Sequence, residues 1–208
     1  MKRLRMIVAA AVPALSTTTA SAQLADADTR FTSLSTYAVS LPLGDTRRYI
    51  GLPSFLGMGW DGQWSMRNNT AAGVALGVYD FYNESFSTTN FPSGSATGDQ
   101  LRDLLVASVL ATGRWYPLAD SRGPYLGIGA GAVYAEQFYQ LGIISQVSRA
   151  ALHLVIAPEA GLSVPMMRGV NANLGVRYWL PDAAGNYVGG GARSFRFVTA
   201  SIGLAERW

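Results

Sequence analysis

Between Val170 and Leu180 the chain alternates without a break. Val170, Ala172, Leu174, Val176, Tyr178 and Leu180 fall on one side, and Asn171, Asn173, Gly175, Arg177 and Trp179 on the other. A β-strand sends successive side chains to opposite faces, so this period predicts a strand with one apolar face. Arg149–Val164 repeats the pattern, with Leu152, Leu154, Ile156, Pro158, Ala160, Leu162 and Val164 opposed to Ala151, His153, Val155, Ala157, Glu159, Gly161 and Ser163. Tyr125–Glu136 sets Leu126, Ile128, Ala130, Ala132 and Tyr134 against Gly127, Gly129, Gly131 and Ala135. Arg196–Trp208 sets Val198, Ala200, Ile202, Leu204 and Trp208 against Thr199, Ser201, Gly203, Ala205 and Arg207. Three shorter stretches behave alike. Leu56, Met58, Trp60 and Trp64 oppose Gly57, Gly59, Asp61 and Gln63; Val74, Leu76 and Val78 oppose Gly73, Ala75 and Gly77; Leu105, Ala107, Val109, Ala111 and Trp115 oppose Ser108, Thr112 and Arg114. A first strand is expected at about Phe31–Leu41, with Tyr37, Val39 and Leu41 on its apolar face.

The links between these strands alternate in length. Short ones are expected at Met66–Thr70, with Asn68 and Asn69, at Pro117–Gly123 and at Pro165–Gly169. Long ones are expected at Gly44–Leu52, Glu84–Gln100, Gln140–Ser148 and Asp182–Ala192. Gly, Pro, Asn, Ser and Asp fill most of them, as turns require. Eight strands joined this way form an all-β, antiparallel, up-and-down meander with both ends on the short-turn side.

Which face is greasy decides between two closed barrels. A soluble barrel holds its large apolar groups inside, whereas a membrane barrel carries them outside and lines the interior with polar or small residues. Here the second face carries Gly, Ala, Ser, Thr and Asn together with Asp61, Gln63, Arg114, Glu159 and Arg177. Charges of both signs are costly in a dry core, and they suit a narrow lumen where they can pair. The expectation is therefore an eight-stranded transmembrane β-barrel, whose closed sheet leaves no backbone edge in hydrocarbon. Aromatic residues near the strand ends read as two interfacial girdles. Phe31, Trp64, Trp115, Tyr116, Tyr125 and Trp208 make one; Tyr79, Phe81, Tyr82, Tyr134, Phe138, Tyr178, Trp179 and Tyr187 make the other.

Composition sharpens this picture. Only 14% of residues are charged, 49% are hydrophobic, and there is no Cys, which removes disulfides and thiol chemistry. Lys2, Arg3 and Arg5 precede an apolar run, Met6–Leu15, and the small residues Ala20-Ser21-Ala22. That is the form of a cleaved secretory signal, so residues 1–22 read as signal peptide and 23–208 as the barrel domain. Without those three basic residues, 13 Arg face 13 Asp and Glu. The pI of 9.3 thus owes its height to the leader, and no basic cluster remains for nucleic acid.

Read in order, Pro42-Leu43-Gly44-Asp45-Thr46-Arg47, Gly57-Met58-Gly59-Trp60-Asp61-Gly62-Gln63-Trp64, Asn68-Asn69-Thr70, Gly73-Val74-Ala75-Leu76-Gly77 and the aromatic end Trp208 resemble the small outer-membrane β-barrel family that includes the OmpA-type and OmpW-type barrels. The resemblance spans about Phe31–Trp208. It implies residence in a Gram-negative outer membrane, contact with its lipid, and insertion by the barrel-assembly machinery reading Trp208. Glu206 departs from the family pattern, which keeps that alternate position apolar or aromatic.

Candidate chemistry is sparse. His153 is the only histidine. Ser163 and Glu159 share its face, but Ser163 lies ~33 Å away along an extended strand; Ser108 or Ser201 on a neighbouring strand would be nearer. Gly127-x-Gly129-x-Gly131 lacks dinucleotide-loop spacing and reads as the small inner face of a strand. Gly189-Gly190-Gly191 has no following Lys, and Asp26 with Asp28 is too few ligands for calcium. No catalytic, cofactor or metal residues are assigned. Asp61, Arg114, Glu159 and Arg177 are expected instead to form an ion-pair network filling the lumen and blocking bulk flow. Glu159 and Arg177 sit on strands joined by a short turn and should lie within a few residues of each other. The expected role is that of a monomeric structural or surface-interaction barrel whose long loops meet an extracellular ligand. A narrow channel for small or apolar solutes, a barrel enzyme that modifies lipid A or phospholipid, for instance by deacylation, and a soluble lipocalin-like periplasmic carrier are the competing readings.

Overall fold

Alternation on every strand requires a sheet with two different faces, and the chain meets this by closing on itself. The computed structural model describes residues 31–66, 69–91, 94–118, 123–142, 145–182 and 195–208. In chain order they form β1 (Phe31–Leu43), α1 (Gly44–Ile50), β2 (Ser54–Ser65), β3 (Thr70–Phe91), β4 (Gly94–Trp115), β5 (Gly123–Leu141), β6 (Ser145–Met167), β7 (Val170–Pro181) and β8 (Arg196–Arg207). Each strand pairs antiparallel with the next, and β8 returns to β1, giving a closed eight-stranded barrel. The leader 1–22, Asp26, Asp28, Asn68, Tyr187 and Gly189–Gly191 lie outside the described residues.

The apolar half of every alternation faces outward. Met58, Leu76, Val109, Ile128, Leu154, Val176 and Ile202 are each 45–69% exposed, and Tyr37 on β1 completes the ring of eight strands. No monomer in water tolerates an apolar surface this continuous. On β4 the outward face runs from Leu105 to Trp115, roughly ten rises or ~33 Å along the strand. At a tilt of ~40° that is about 25 Å along the barrel axis, the height of a membrane barrel's apolar band.

Two expectations about the links need correction. Most of the described residues of Glu84–Gln100 and Gln140–Ser148 are not loop but paired strand. β3 and β4 pair as far as Phe91 opposite Gly94, and β5 and β6 as far as Leu141 opposite Ser145. β2 leaves β3 at Asp80, and β7 leaves β6 at Val155. The two hairpins therefore rise above the rim as a four-stranded extension. At its base one face is still covered, with Phe81, Leu104, Gln100 and Leu141 buried, but farther out neighbouring residues such as Glu84, Ser85 and Phe86 on β3 and Gln146–Ala150 on β6 are exposed alike, so the apolar/polar alternation that marks a strand lower down is lost while the strand persists. Gly44–Leu52 holds α1, ended by Gly51 at φ 75, whose N–H donates to the Arg47 carbonyl at 2.8 Å.

The interior also departs from expectation. Its short-turn half is polar, but its loop-end half is an apolar core. Phe81, Leu104, Val106, Trp179 and Phe197 are fully buried there, and Tyr79 nearly so. Trp179 stacks on Phe197 at 5.1 Å between ring centres, with Tyr79 and Phe81 edge-on to Phe197 at 5.6 Å each. Of the expected girdle residues, Tyr79, Phe81, Trp179, Tyr116 and Tyr125 thus point inward, while Trp64, Trp115, Trp208, Tyr82 and Tyr134 stay exposed. Helix α1 roofs this core. Its Thr46 and Ile50 are fully buried, and the Thr46 hydroxyl accepts the Arg196 N–H at 2.8 Å. The Tyr49 hydroxyl donates to the Phe138 carbonyl at 3.1 Å, and Arg102 donates to the Tyr49 carbonyl at 2.8 Å. Burial pushes the Tyr49 phenol up to about 12, which keeps it a neutral donor at ordinary pH.

The outward belt yields a direct test. Val109→Arg should cost about 2–4 kcal/mol of stability in lipid vesicles, measured by denaturant unfolding, because it puts a cation near the bilayer midplane. Ser95→Arg, on the water-facing hairpin, should change stability by no more than about 0.5 kcal/mol.

Candidate functional site

Inward parity delivers one charged residue from each of four strands to the same level of the lumen: Asp61 from β2, Arg114 from β4, Glu159 from β6 and Arg177 from β7. Arg114 lies between the two carboxylates. Its Nη2 donates to Asp61 Oδ2 at 2.9 Å, and its Nε to Glu159 Oε1. Arg177 closes the ring. Its Nε donates to Glu159 Oε2 at 2.9 Å, and its Nη2 reaches Asp61 Oδ2 at 3.4 Å. The four side chains are 4–13% exposed. Each cation also lies against an aromatic face, Arg114 at 4.8 Å from the Tyr125 ring centre and Arg177 at 5.6 Å from that of Trp179.

Register explains how groups on non-adjacent strands meet. Glu159 and Arg177 are direct cross-strand partners. Between Arg114 and Glu159 stands β5, and the residue opposite both is Gly127. A Cβ at Gly127 would stand 2.7 Å from Glu159 Oε1 and 2.9 Å from the Gly113 carbonyl oxygen, so only glycine lets the two charges pass across this strand. The Gly127-x-Gly129-x-Gly131 run is thus the small inner face that its parity indicates. Glu159 and Arg177 also lie beside a break in backbone pairing, with the strand register unchanged across it. Pro158 has no N–H, and the β6–β7 ladder skips from Ile156–Leu180 to Glu159–Arg177.

Around the quartet are polar groups that sequence reasoning named only in part. Gln63, Thr112, Ser163 and Asn173 are buried; the Tyr125 hydroxyl donates to Asn173 Oδ1 at 3.1 Å. Asp61 Oδ1, Gln63 Nε2 and Thr112 Oγ1 have no hydrogen-bond partner among the described residues. Two small cavities adjoin Arg114, of about 30 and 20 Å³. Tyr116, Tyr125 and the apolar core were the residues missed as interior. Their parity was available: Tyr125 shares that of Gly127, and Tyr79 and Phe81 that of Gly73–Gly77. Their proximity to strand ends suggested a girdle instead.

His153 faces inward and is buried, with Nδ1 at 3.3 Å from Asp182 Oδ1 and its ring beside Phe195. The candidate serines are engaged elsewhere. Ser108 donates to the Gly77 carbonyl, Ser201 to the Gly175 carbonyl, and Ser163 accepts from Asn171. Glu159 belongs to the ion-pair ring, roughly 20 Å along β6 from His153 at 3.3 Å per residue. Among the described residues no three His, Asp or Glu side chains gather as a metal site.

No protein-family model matches the chain, and no curated protein sequence matches it. Solved structures do match its fold. Ail, the attachment invasion locus protein of Yersinia pestis, in complex with the heparin analogue sucrose octasulfate, superposes with a TM-score of 0.54 at 14% identity, covering 88% of this chain and 100% of that one. A second structure of Ail gives 0.54 at 13% identity over the same shares. Neisserial surface protein A gives 0.46 at 13% identity, over 86% of this chain and 97% of that one. At such identities the likeness concerns the fold: a small eight-stranded outer-membrane β-barrel. With its apolar belt on all eight strands, the chain is a membrane-spanning barrel of the outer-membrane type.

The ring and its glycine are open to test by denaturant unfolding in vesicles. Arg114→Met should cost about 3–5 kcal/mol, because Asp61 and Glu159 then share one cation in a buried site. Gly127→Ala should cost about 1–3 kcal/mol through overpacking against Glu159 and the Gly113 carbonyl.

Proposed function

We propose that this protein is a surface-interaction barrel. The membrane belt and filled lumen hold it in place, and the β3–β4 and β5–β6 hairpins form the contact surface outside the cell. The observation that carries this reading is the continuation of both hairpins past the rim as one paired sheet. Ordered sheet, rather than loose loop, presents side chains in a defined array. Its outer part is poor in charge and rich in hydroxyls. Ser85, Thr88, Ser95 and Thr97 are exposed around Phe86, which is 73% exposed.

The partner follows from that chemistry. Ail was crystallised with a polyanion, sucrose octasulfate. Here the described residues at the loop end include Arg47, Arg48, Arg102, Arg149 and Arg196 against Asp45, Asp80, Glu84, Asp99, Asp103, Glu136 and Asp182. A surface without basic excess favours a neutral protein or glycan surface over a sulfated one. Residues 1–22 would direct export and be removed. Trp208 would serve the assembly machinery; its N–H bonds the Phe31 carbonyl at 2.9 Å on the seam where the barrel closes, and its ring is 75% exposed. The barrel would act as a monomer.

Cells carrying the wild-type protein should adhere to at least one surface in a panel coated with collagen, fibronectin, laminin or neutral glycans. Shortening the β3–β4 hairpin by removing residues 86–97 should abolish adhesion while the unheated barrel keeps its shifted mobility in SDS gels. Equal adhesion by both forms, or by cells lacking the protein, would overturn the reading. The competing channel reading is tested in planar bilayers, where the wild type should give no conductance steps. Removing two aromatic rings with Trp179→Ala and Phe197→Ala should open a small conductance.

A further inference from the structure

Glu206 departs from the pattern of small outer-membrane barrels, and barrel closure places two further polar residues beside it. It lies on β8 between the inward Ala205 and Arg207, so its carboxylate is on the lipid side, and it is exposed. Away from the strand ends, the outward positions of the described belt are apolar, aromatic or glycine on every strand except β1, which carries Ser33 and Ser35 there. The seam sets these polar positions side by side, because Ser33 is the ladder partner of Glu206 and Ser35 that of Leu204. Outward residues two apart on a strand are separated by ~6.6 Å, and cross-strand partners by about 5 Å. The three polar groups therefore share one patch roughly 10 Å across.

The patch is a notch. On one side Ile202 and Leu204 of β8 stand out at 56% exposure each. On the other, the Trp60 ring lies along β2 over Gly62, where a Cβ would meet it at 2.5 Å, and its Nε1–H donates to Ser33 Oγ at 2.9 Å. That bond occupies Ser33 as an acceptor and leaves its O–H to donate. Ser35, the partner of Trp60 on β1, is exposed. Next to the notch are the rings of the short-turn end, with Trp208 two residues beyond Glu206 and Phe31 against Trp64 at 5.2 Å. Glu206 thus sits at the depth of lipid headgroups. Its carboxylate has no hydrogen bond or ion pair among the described residues. The Arg207 N–H ties the β6–β7 turn to the same rim through the Gly169 carbonyl at 2.8 Å, yet the exposed Arg168 of that turn makes no ion pair with Glu206.

We propose that this seam binds the headgroup of an ethanolamine phospholipid from the leaflet on the short-turn side. The primary ammonium meets the Glu206 carboxylate in a charge-assisted hydrogen bond. The hydroxyls of Ser33, beside it, and Ser35, further toward the bilayer centre, donate to the phosphate and the ester carbonyls. An acyl chain then follows the apolar face of β1 past Tyr37. Each part of the lipid finds its complement at the depth where the bilayer carries it, cation outermost and ester oxygens beneath. A carboxylate near the interface is tolerated by itself. The hydroxyls aligned with it toward the bilayer centre give the site its ligand. A choline headgroup has no N–H to donate and a glycerol headgroup has no cation, so neither meets both requirements. The site rests on the lipid-facing belt and is independent of the role given to the hairpins.

Native mass spectrometry tests it on the full barrel released from vesicles that hold equal parts of ethanolamine, choline and glycerol phospholipids with the same acyl chains. The wild type should retain the ethanolamine lipid several-fold over the other two. Glu206→Gln should remove that preference and Glu206→Asp should keep it, each confirmed as a folded barrel by its unheated mobility in SDS gels. If Glu206→Gln does not fold, Ser33→Ala combined with Ser35→Ala replaces it and should lower ethanolamine retention several-fold. Equal retention of the three lipids by the wild type would overturn the site. So would an ethanolamine preference that is the same in the wild type and in the folded variant that removes its contacts. Neither result touches adhesion, which is read on the hairpins.

Discussion

The structure depends on one constraint: inside hydrocarbon every backbone N–H and C=O must find its partner within the protein. A flat sheet would leave two edges unmet, so β8 is returned to β1 along a ladder from Thr32–Arg207 to Leu43–Arg196. Once the sheet is closed, period 2 leaves each side chain two destinations, lipid or lumen. Lipid rejects charge, so Asp61, Arg114, Glu159 and Arg177 have a single place to go. Their meeting is a consequence of closure on a small circumference as much as of attraction between them.

An eight-stranded tube is just wide enough to be filled by side chains, and this chain fills it in two ways. The ion pairs contribute little net stability, because desolvation offsets most of their Coulomb attraction, but losing one partner is expensive. The aromatic core is the reverse. Each large apolar side chain buried there contributes about 1.5–3 kcal/mol relative to exposure, and no single loss strands a charge. The core therefore holds the tube together at the loop end, and the ring ties β2, β4, β6 and β7 together across the lumen at the other. Gly127 is what allows both charge and backbone to fit at that level.

Above the rim the solvent changes and so do the rules. The β3–β4 and β5–β6 hairpins keep their ladders while their outer parts expose residues of both parities, and α1 folds over the mouth as the only described helix. The Tyr49–Arg102 contacts and the buried Ile50 hold it there. Apolar belt, aromatic core, helix α1 and paired hairpins thus follow one another along the barrel axis, each set by what surrounds it.

How much of this was legible depended on whether a residue's neighbours differ in polarity. Where one face met lipid and the other the lumen, alternation alone placed Val170–Leu180, Arg149–Val164 and the rest on strands, with the correct face outward. It also put Asp61, Arg114, Glu159 and Arg177 inside, and counting from the short turn brought Glu159 close to Arg177. Three things were decided only by the folded chain. Glu84–Thr88 and its partners Thr97–Asp99 are strand although residues of both parities are exposed there, because a ladder needs no polarity difference to persist. Tyr79, Phe81, Tyr125 and Trp179 are interior and not interfacial, because parity outweighs nearness to a strand end. And Arg114 reaches Glu159 across an intervening strand, since tilt and register, set by closing all eight strands at once, bring Gly127 opposite both.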